Sequence, residues 1–346
     1  MDDKTEQVNG REIENVSPTH KPTRKRRCLG HCKRFWWVYL LVVIAVVVLV
    51  VCLVIFVGLP KIAQKKINDA KLEIQGVNVL DTQSEAYRLE INATITTDGK
   101  IHADIDPFVA QMYLEDAEGQ RPFASVDFPK TSAEKLLAVN TSQALTVADM
   151  DAFTQFNVWF ASNETLRVTI KGDTKTKPSG IDRKYGVTFE KTLDIKGLNH
   201  FNGLEVLEGR VALQKDSQGN NFWGKAKVPN ASHFTLDIGN ITFANYIGDT
   251  QYGNITMDNV LLAPGDNIYD IQGSLNQVGI LQLVQSPAYC ETGVIPLKML
   301  GQSVTNNGQS LNYFATALGS ANVTVDVNIG QIIKSSLNVN VSCSSS

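Results

Sequence analysis

The chain has 346 residues, of which 43% are hydrophobic and 19% charged, with a formal net charge of −3. A balance so close to neutral carries no electrostatic message about partners. Five histidines and five cysteines, widely scattered, assemble no ligand set for a metal centre.

Residues 1–34 mix Lys, Arg, Glu, Pro and Asn with almost no large apolar side chains, so they cannot bury a core and are expected to form a disordered tail. The tail ends in a basic cluster that includes Arg24, Lys25, Arg26, Arg27, Lys33 and Arg34, with no acid among them. Such a run beside a membrane helix sets topology and contacts anionic lipid, at about 1 kcal/mol per charge, which explains it better than nucleic-acid binding. From Phe35 to Leu59 no residue is charged. As a helix this run reaches roughly 37 Å, enough to cross a hydrocarbon core of about 30 Å with some tilt. Trp36, Trp37 and Tyr39 fall at headgroup level. A buried core helix would not stay apolar all round for so long. A cleaved signal peptide would stop after roughly 7–15 apolar residues at a small-x-small site, whereas here Leu59-Pro60-Lys61 follows. The segment 35–59 therefore reads as a single-pass signal anchor. The positive-inside bias, softened by Lys61, Lys65 and Lys66, leaves the N-terminus cytosolic and the C-terminus lumenal or outside.

Residues 60–75 look briefly helical, a juxtamembrane linker. Beyond them the pattern turns to period two, in stretches such as LEIQGVNVL, YRLEINATI, FNVWF, LRVTIKG, FTLDIGNITF, NVTVDVNI and LNVNVS. Alternating Val, Ile, Thr and aromatic residues between Gly/Asn/Asp turns mark antiparallel, half-buried strands. Helical exceptions are expected at Ser132–Val139, Val147–Gln155, Gln277–Val284 and Gly308–Ala317. This all-β region is too large for one ordinary sandwich and fits two tandem β-sandwiches, 76–197 and 198–346. Ile91-Asn92-Ala93-Thr94 recurs as Pro229-Asn230-Ala231-Ser232, and ETLRVTIKG ending at Gly172 has a counterpart in GVIPLKMLG ending at Gly301. The expected junction is IKGLNHFNG, Ile195–Gly203.

Asn-x-Ser/Thr acceptors stand at Asn92, Asn140, Asn163, Asn230, Asn240, Asn254, Asn322 and Asn340, all beyond the apolar segment, as glycosylated surface positions of a lumenal domain would. Cys290 and Cys343 are the only cysteines there, and an oxidising lumen favours pairing them; the alternative is two separate buried thiols. Cys28 and Cys32 flank the membrane on the other side, where acylation is one reading and free thiols another. No constellation asks for catalysis. His102, Asp104 and Asp106 share one face of an alternating strand but read as a solvated edge rather than a metal or acid/base cluster. GxSxG, HExxH, P-loop and dinucleotide-binding motifs are absent. The expectation is a protein that is not an enzyme and holds no cofactor or metal.

The stretch from Val228 to Leu275 resembles the late-embryogenesis-abundant group-2 β-sandwich. The likeness lies in Pro229-Asn230, the alternation through Phe234–Phe243 and the turn Leu262-Ala263-Pro264-Gly265. The whole layout, a basic tail, a Trp-rich start to one membrane helix and a long β-rich glycosylated region, resembles a fungal family of single-pass vacuolar-membrane proteins whose relatives are implicated in termination of autophagy. That resemblance implies a vacuolar membrane, with the plasma membrane as the alternative. It also implies lumenal sandwiches that bind or transfer lipid in a groove between sheets. Phe108, Val109, Met112, Phe156, Val158, Phe160, Val278, Ile280, Leu281 and Leu283 read as ordinary core rather than as such a groove. The rival reading is an adhesion or protein-interaction module.

Overall fold

A computed structural model describes residues 24–343, with side chains from Trp36 onward. The chain divides between Leu59 and Pro60 into two units. The first holds α1 (Arg24–Leu53) and a π-helical turn, Val54–Gly58; α2 (Leu59–Asp69) begins at the boundary and runs on in the second. The most apolar window of the helix Trp36–Asp69 has a mean hydropathy of 3.8, and none of it is buried by the rest of the chain. A helix apolar on every side and left uncovered is suited to lipid, and among the described residues no other helix has the length and apolarity to cross a membrane. The tail 1–23 and the side chains of the cluster Arg24, Lys25, Arg26, Arg27, Lys33 and Arg34 lie outside the described residues, as do those of Cys28 and Cys32.

In the second unit, Pro60–Ser346, helix gives way to strand sooner than expected. The linker 60–75 is helical only to Asp69, because the alternation of LEIQGVNVL already begins at Lys71. β1 (Lys71–Leu80), β2 (Ala86–Thr96), β3 (Ala103–Ile105), β4 (Phe108–Leu114), β5 (Pro122–Phe128), β6 (Thr131–Ser132) and β7 (Leu136–Thr146) lead to α3 (Met150–Ser162). β8 (Thr165–Pro178) and β9 (Tyr185–Lys196) complete the first half. The second half holds β10 (Glu205–Val211), β11 (Phe222–Asn230), β12 (Phe234–Ile247), β13 (Thr250–Leu262), β14 (Gly265–Leu275) and α4 (Gln277–Val284). It ends with β15 (Val294–Asn306), β16 (Gln309–Ser310), α5 (Asn312–Ser320), β17 (Val323–Asn328) and α6 (Ile329–Leu337).

The all-β class with one N-terminal apolar helix is as the sequence implies. Two stretches reverse the expected type. Ser132–Val139, read as helix, forms none: Ser132 ends β6, 133–135 are irregular, and Leu136–Val139 open β7, which pairs with β2 along its whole length, from Thr146 opposite Ala86 to Leu136 opposite Thr96. Eleven paired positions outweigh the local helix preference of Ala, Glu, Lys and Leu. FNVWF, read as strand, lies in α3: Phe153, Phe156 and Phe160 recur at helical spacing, and the Asp149 carboxylate caps the helix by accepting from the Ala152 N–H at 2.9 Å. LNVNVS follows α6 without forming a strand.

Residues 60–346 make one unit rather than two that part at 197/198. The larger sheet runs β10-β11-β14-β13-β12-β1-β2-β7, with β15 also on β12, and so contains strands of both halves. β12 is shared. Its start, Phe234–Leu236, lies parallel to Val77–Val79 of β1, and its later residues, Asn240–Tyr246, lie antiparallel to β15. Gly239 stands at the irregular step between the two pairings, with φ of +83°, and a Cβ there would come within 2.5 Å of the Thr305 carbonyl oxygen. Only glycine serves at that bend. The β1–β2 turn also plugs into the second half. Thr82, fully buried, donates to the Asp237 carbonyl at 2.6 Å and accepts from Asn306 Nδ2, while Tyr313 Oη of α5 donates to the Gln83 carbonyl. In the smaller sheet β8 carries β9 along one side and β4 and β3 along the other, with β5 beyond β4 and β6 beyond β3.

Candidate functional site: an apolar slot in the first half

Alternation places one face of β1, β2 and β7 against one face of β4, β5, β8 and β9. Between them lies a cavity of about 70 Å³ lined by Leu89, Ala93, Met112, Phe128, Val139 and Ile170 among others. α3 supplies its aromatic wall: the Phe156 ring stacks on Phe123 at 4.2 Å, Phe153 stacks on Tyr87 at 5.2 Å, and Phe160 meets Phe234 of β12 at 4.8 Å. The polar side chains on the wall are few. Asn157 is buried and donates to the Phe153 carbonyl, Thr141 is half-buried, and burial pushes the Tyr87 phenol well above its ordinary value.

Part of the slot's lining is less completely covered than the rest. Ile74, Ile91, Met112, Phe128, Leu193 and Ile195 all line the slot yet are only half-buried. In the second half the corresponding cavities are about 30 Å³ each, and nearly every residue around them, from Ile255 and Met257 to Ile295 and Met299, is buried. Of the apolar residues singled out from the sequence, Met112, Phe156 and Phe160 line the slot and Ile280 lines a second-half cavity. Val109, Val278 and Leu281 are exposed instead.

A polar cleft of about 570 Å³ lies elsewhere, between α2 and the β8–β9 ladder, lined by Gln64, Asp106, Asp173, Lys175 and Thr188 among others. Its acids are already engaged. Asp106 takes both oxygens to Lys184 Nζ, at 2.9 and 2.7 Å, and Asp173 accepts from Thr188 Oγ1 at 2.7 Å. Asp104 is tied separately to Lys130 at 3.0 Å, and the hydrogen bond from that ammonium holds its carboxyl below the usual range. His102 lies just before β3. The trio of His102, Asp104 and Asp106 is thus split between lysine partners, and among the described residues no three His, Cys, Asp or Glu side chains converge on a metal position.

The structure brings Cys290 and Cys343 together in a disulfide, Cα atoms 5.0 Å apart, which ties the segment after α6 to the turn after α4. Seven of the acceptor asparagines have access to solvent: Asn92, Asn140, Asn163, Asn240, Asn322 and Asn340 are exposed and Asn254 is half-buried. Asn230 does not fit a glycan. It is 2% exposed, its Oδ1 accepts from the Ser232 N–H and hydroxyl, and its Nδ2 donates to the Phe234 and Leu262 carbonyls. The Pro-Asn-Ala-Ser string is a structural turn, the amide nitrogen already spent. Two features gave no sequence signal, Gln64 and Gln143. Each lays its side-chain amide against the backbone of a strand edge, Gln64 on the N–H and C=O of Thr188 in β9, Gln143 on those of Asp127 in β5.

Comparisons with known proteins place little beside this geometry. A family model described as "Protein of unknown function (DUF3712)" matches residues 121–245, from the end of the β4–β5 connection into β12, so the match crosses the expected junction. No curated protein matches. Among solved structures, a crystal structure of red sea bream transglutaminase aligns at 11% identity with a TM-score of 0.26. It covers 75% of this chain, which spans only 30% of that enzyme. A crystal structure of CBD12 from CALX1.2 aligns at 10% identity over 67% of this chain and 79% of its own, with a TM-score of 0.18.

Proposed function

We propose that this chain is a non-enzymatic, single-span membrane protein whose β-rich region takes an acyl chain between the sheets of its first half. The observation that carries the reading is the slot itself: an apolar-walled interior of about 70 Å³, part of whose lining stays half-buried, beside second-half cavities of about 30 Å³ with almost wholly buried linings. At about 70 Å³ the cavity is well short of the roughly 300 Å³ of an ordinary ligand pocket, so uptake requires the sheets to move apart. Half-buried side chains make that movement cheap, since they have fewer packing contacts to lose. Placement at the vacuolar membrane, and the lumenal side for the β-rich region, rest on the family resemblance and the positive-inside bias.

The test is lipid mass spectrometry on purified residues 60–346, which form one unit. A lipid recovered in stoichiometric amount, and lost on Ile91→Asp or Met112→Asp, is the expected result. A lipid-free fragment of unchanged stability would sink the reading and favour the second one, a protein-interaction module. One observation supports that alternative: Leu213 and Val278 are 78% and 69% exposed, and Gln277 at the start of α4 donates to the carbonyl of Ala212, next to Leu213.

A further inference from the structure

We propose that the free edge of β7 pairs with the same edge of a second copy of this chain, antiparallel, to close a two-fold dimer. The backbone parity of β7 is fixed by its neighbours. Thr97 N–H donates to the Lys135 carbonyl and Val147 N–H to the Glu85 carbonyl, both continuing the β2–β7 ladder, so the odd-numbered residues turn their backbone groups toward β2. In an antiparallel ladder the alternate residues turn theirs the other way. Leu136, Ala138, Asn140, Ser142, Ala144 and Thr146 therefore offer N–H and C=O groups to an edge beyond which, among the described residues, the larger sheet has no strand.

Such an edge is ordinarily blunted by charge, proline, shortness or a cover. β7 is neither short nor broken by charge or proline: LLAVNTSQALT is eleven residues, tied across to the Asp127 backbone of β5, among the described hydrogen bonds, through the Gln143 side chain alone. The other edges of this unit are managed. β9 is capped by Gln64 on Thr188 and carries Lys191, which donates to the Asn68 carbonyl at the end of α2. β5 opens on Pro122 and has both backbone groups of Asp127 taken by Gln143. At the end of β10, the Val211 N–H goes to Ser336 Oγ of α6. β6 and β16 have two residues each, and β17 has six with Asp326 among them.

The occupant follows from this asymmetry. A second copy brings no like charge against an uncharged edge, and small side chains at Ala138, Ser142 and Ala144 let two such edges approach. With one bare long edge per chain, self-pairing is isologous and closes at two copies rather than running on as a filament.

The experiment uses the full chain carrying Asn140→Gln in lipid nanodiscs, because carbohydrate on Asn140 would stand beside the edge and its enzymatic removal would leave a charged Asp there. Particle mass is read by native mass spectrometry. Two copies per particle are expected, with at least a tenfold rise in dissociation constant for Ala144→Pro, which removes an outward N–H that the fold does not use. Ser142→Lys, an exposed change that leaves the backbone alone, is the second variant and should weaken pairing in the same direction. One copy per particle overturns the proposal, as does a two-copy particle that neither substitution weakens. One copy carrying a foreign polypeptide on that edge overturns self-pairing too.

Discussion

The two halves of the β-rich unit are built from the same alternation and have been packed to different ends. In the second half the inward residues of β12, β13, β14, β15 and β17 are buried almost without exception. In the first half the inward residues of β7, Leu137, Thr141, Gln143 and Leu145, are half-buried, and only Val139 is fully covered. The ion pairs are unevenly shared, with Lys225–Glu208 and Lys227–Glu205 in the second half and the rest of the described ones in the first. Four aspartates with carboxyls held below their ordinary range, Asp98, Asp104, Asp116 and Asp182, all lie in the first half. The lesson is that one binary pattern specifies a sandwich without specifying how tightly it shuts. α5 packs on β15 and α6 on β10 in the second half, while the first is covered by the aromatic α3 together with Phe314 of α5.

Matched truncations break the comparison most directly. Ile295→Ala in the second half, at a site 1% exposed, should cost about 3–5 kcal/mol in denaturant unfolding, whereas Ile74→Ala in the first should cost about 1–2 kcal/mol. Equal losses would mean that the first half is as well packed as the second. Opening the disulfide by Cys290→Ser with Cys343→Ser should come next, at about 2–4 kcal/mol, and should fall on the second half, where both residues lie. Thr82→Val tests whether the halves unfold together. It removes a buried hydroxyl that donates to Asp237 and accepts from Asn306, so about 1–3 kcal/mol should be lost in one transition. A split into two transitions would show that this turn is what couples them.

Acid provides the smallest and most selective probe. The hydrogen bond from Lys66 beside Asp98, from Lys130 beside Asp104, from Arg167 beside Asp116 and from Lys177 beside Asp182 lowers each folded-state pKa below the unfolded value of about 3.9. These pairs therefore contribute fully above about pH 4 and are lost as pH falls through the lowered folded values. Hydrogen exchange followed downward through that window should show first-half amides losing protection before second-half ones. Lys130→Met should flatten the loss around β3, and a uniform loss across both halves would contradict the assignment.

Much of this was legible from residues. The apolar run Phe35–Leu59 declares itself by length alone, α4 at Gln277–Val284 is met residue for residue, and the only two cysteines beyond the membrane segment are joined. The failures have physical causes. Phe153, Phe156 and Phe160 fit helical spacing and FNVWF fits alternation, so periodicity could not choose until Asp149 was seen to cap the helix. Leu136–Val139 was decided by pairing with Ala93–Thr96 in β2, far outside any local window. Asn230 carries a glycosylation triplet and a turn motif in the same four residues, and only burial separates them. The slot left no mark at all, because a half-buried isoleucine and a buried one are the same letter.

The clamp of Gln64 on β9 has a mechanical side. α2 continues directly from the apolar helix, and three side-chain links hold it to the β-rich unit: Gln64 to Thr188, Lys191 to the Asn68 carbonyl, and Lys66 to Asp98. A tug along the chain at Pro60 would be shared among a strand edge, a helix end and the turn after β2 before the single peptide at Ala70 took the strain. α2 is stitched to β9 and to the turn after β2 at several points, so a pull on its first turn reaches the wall of the slot through side chains as well as backbone.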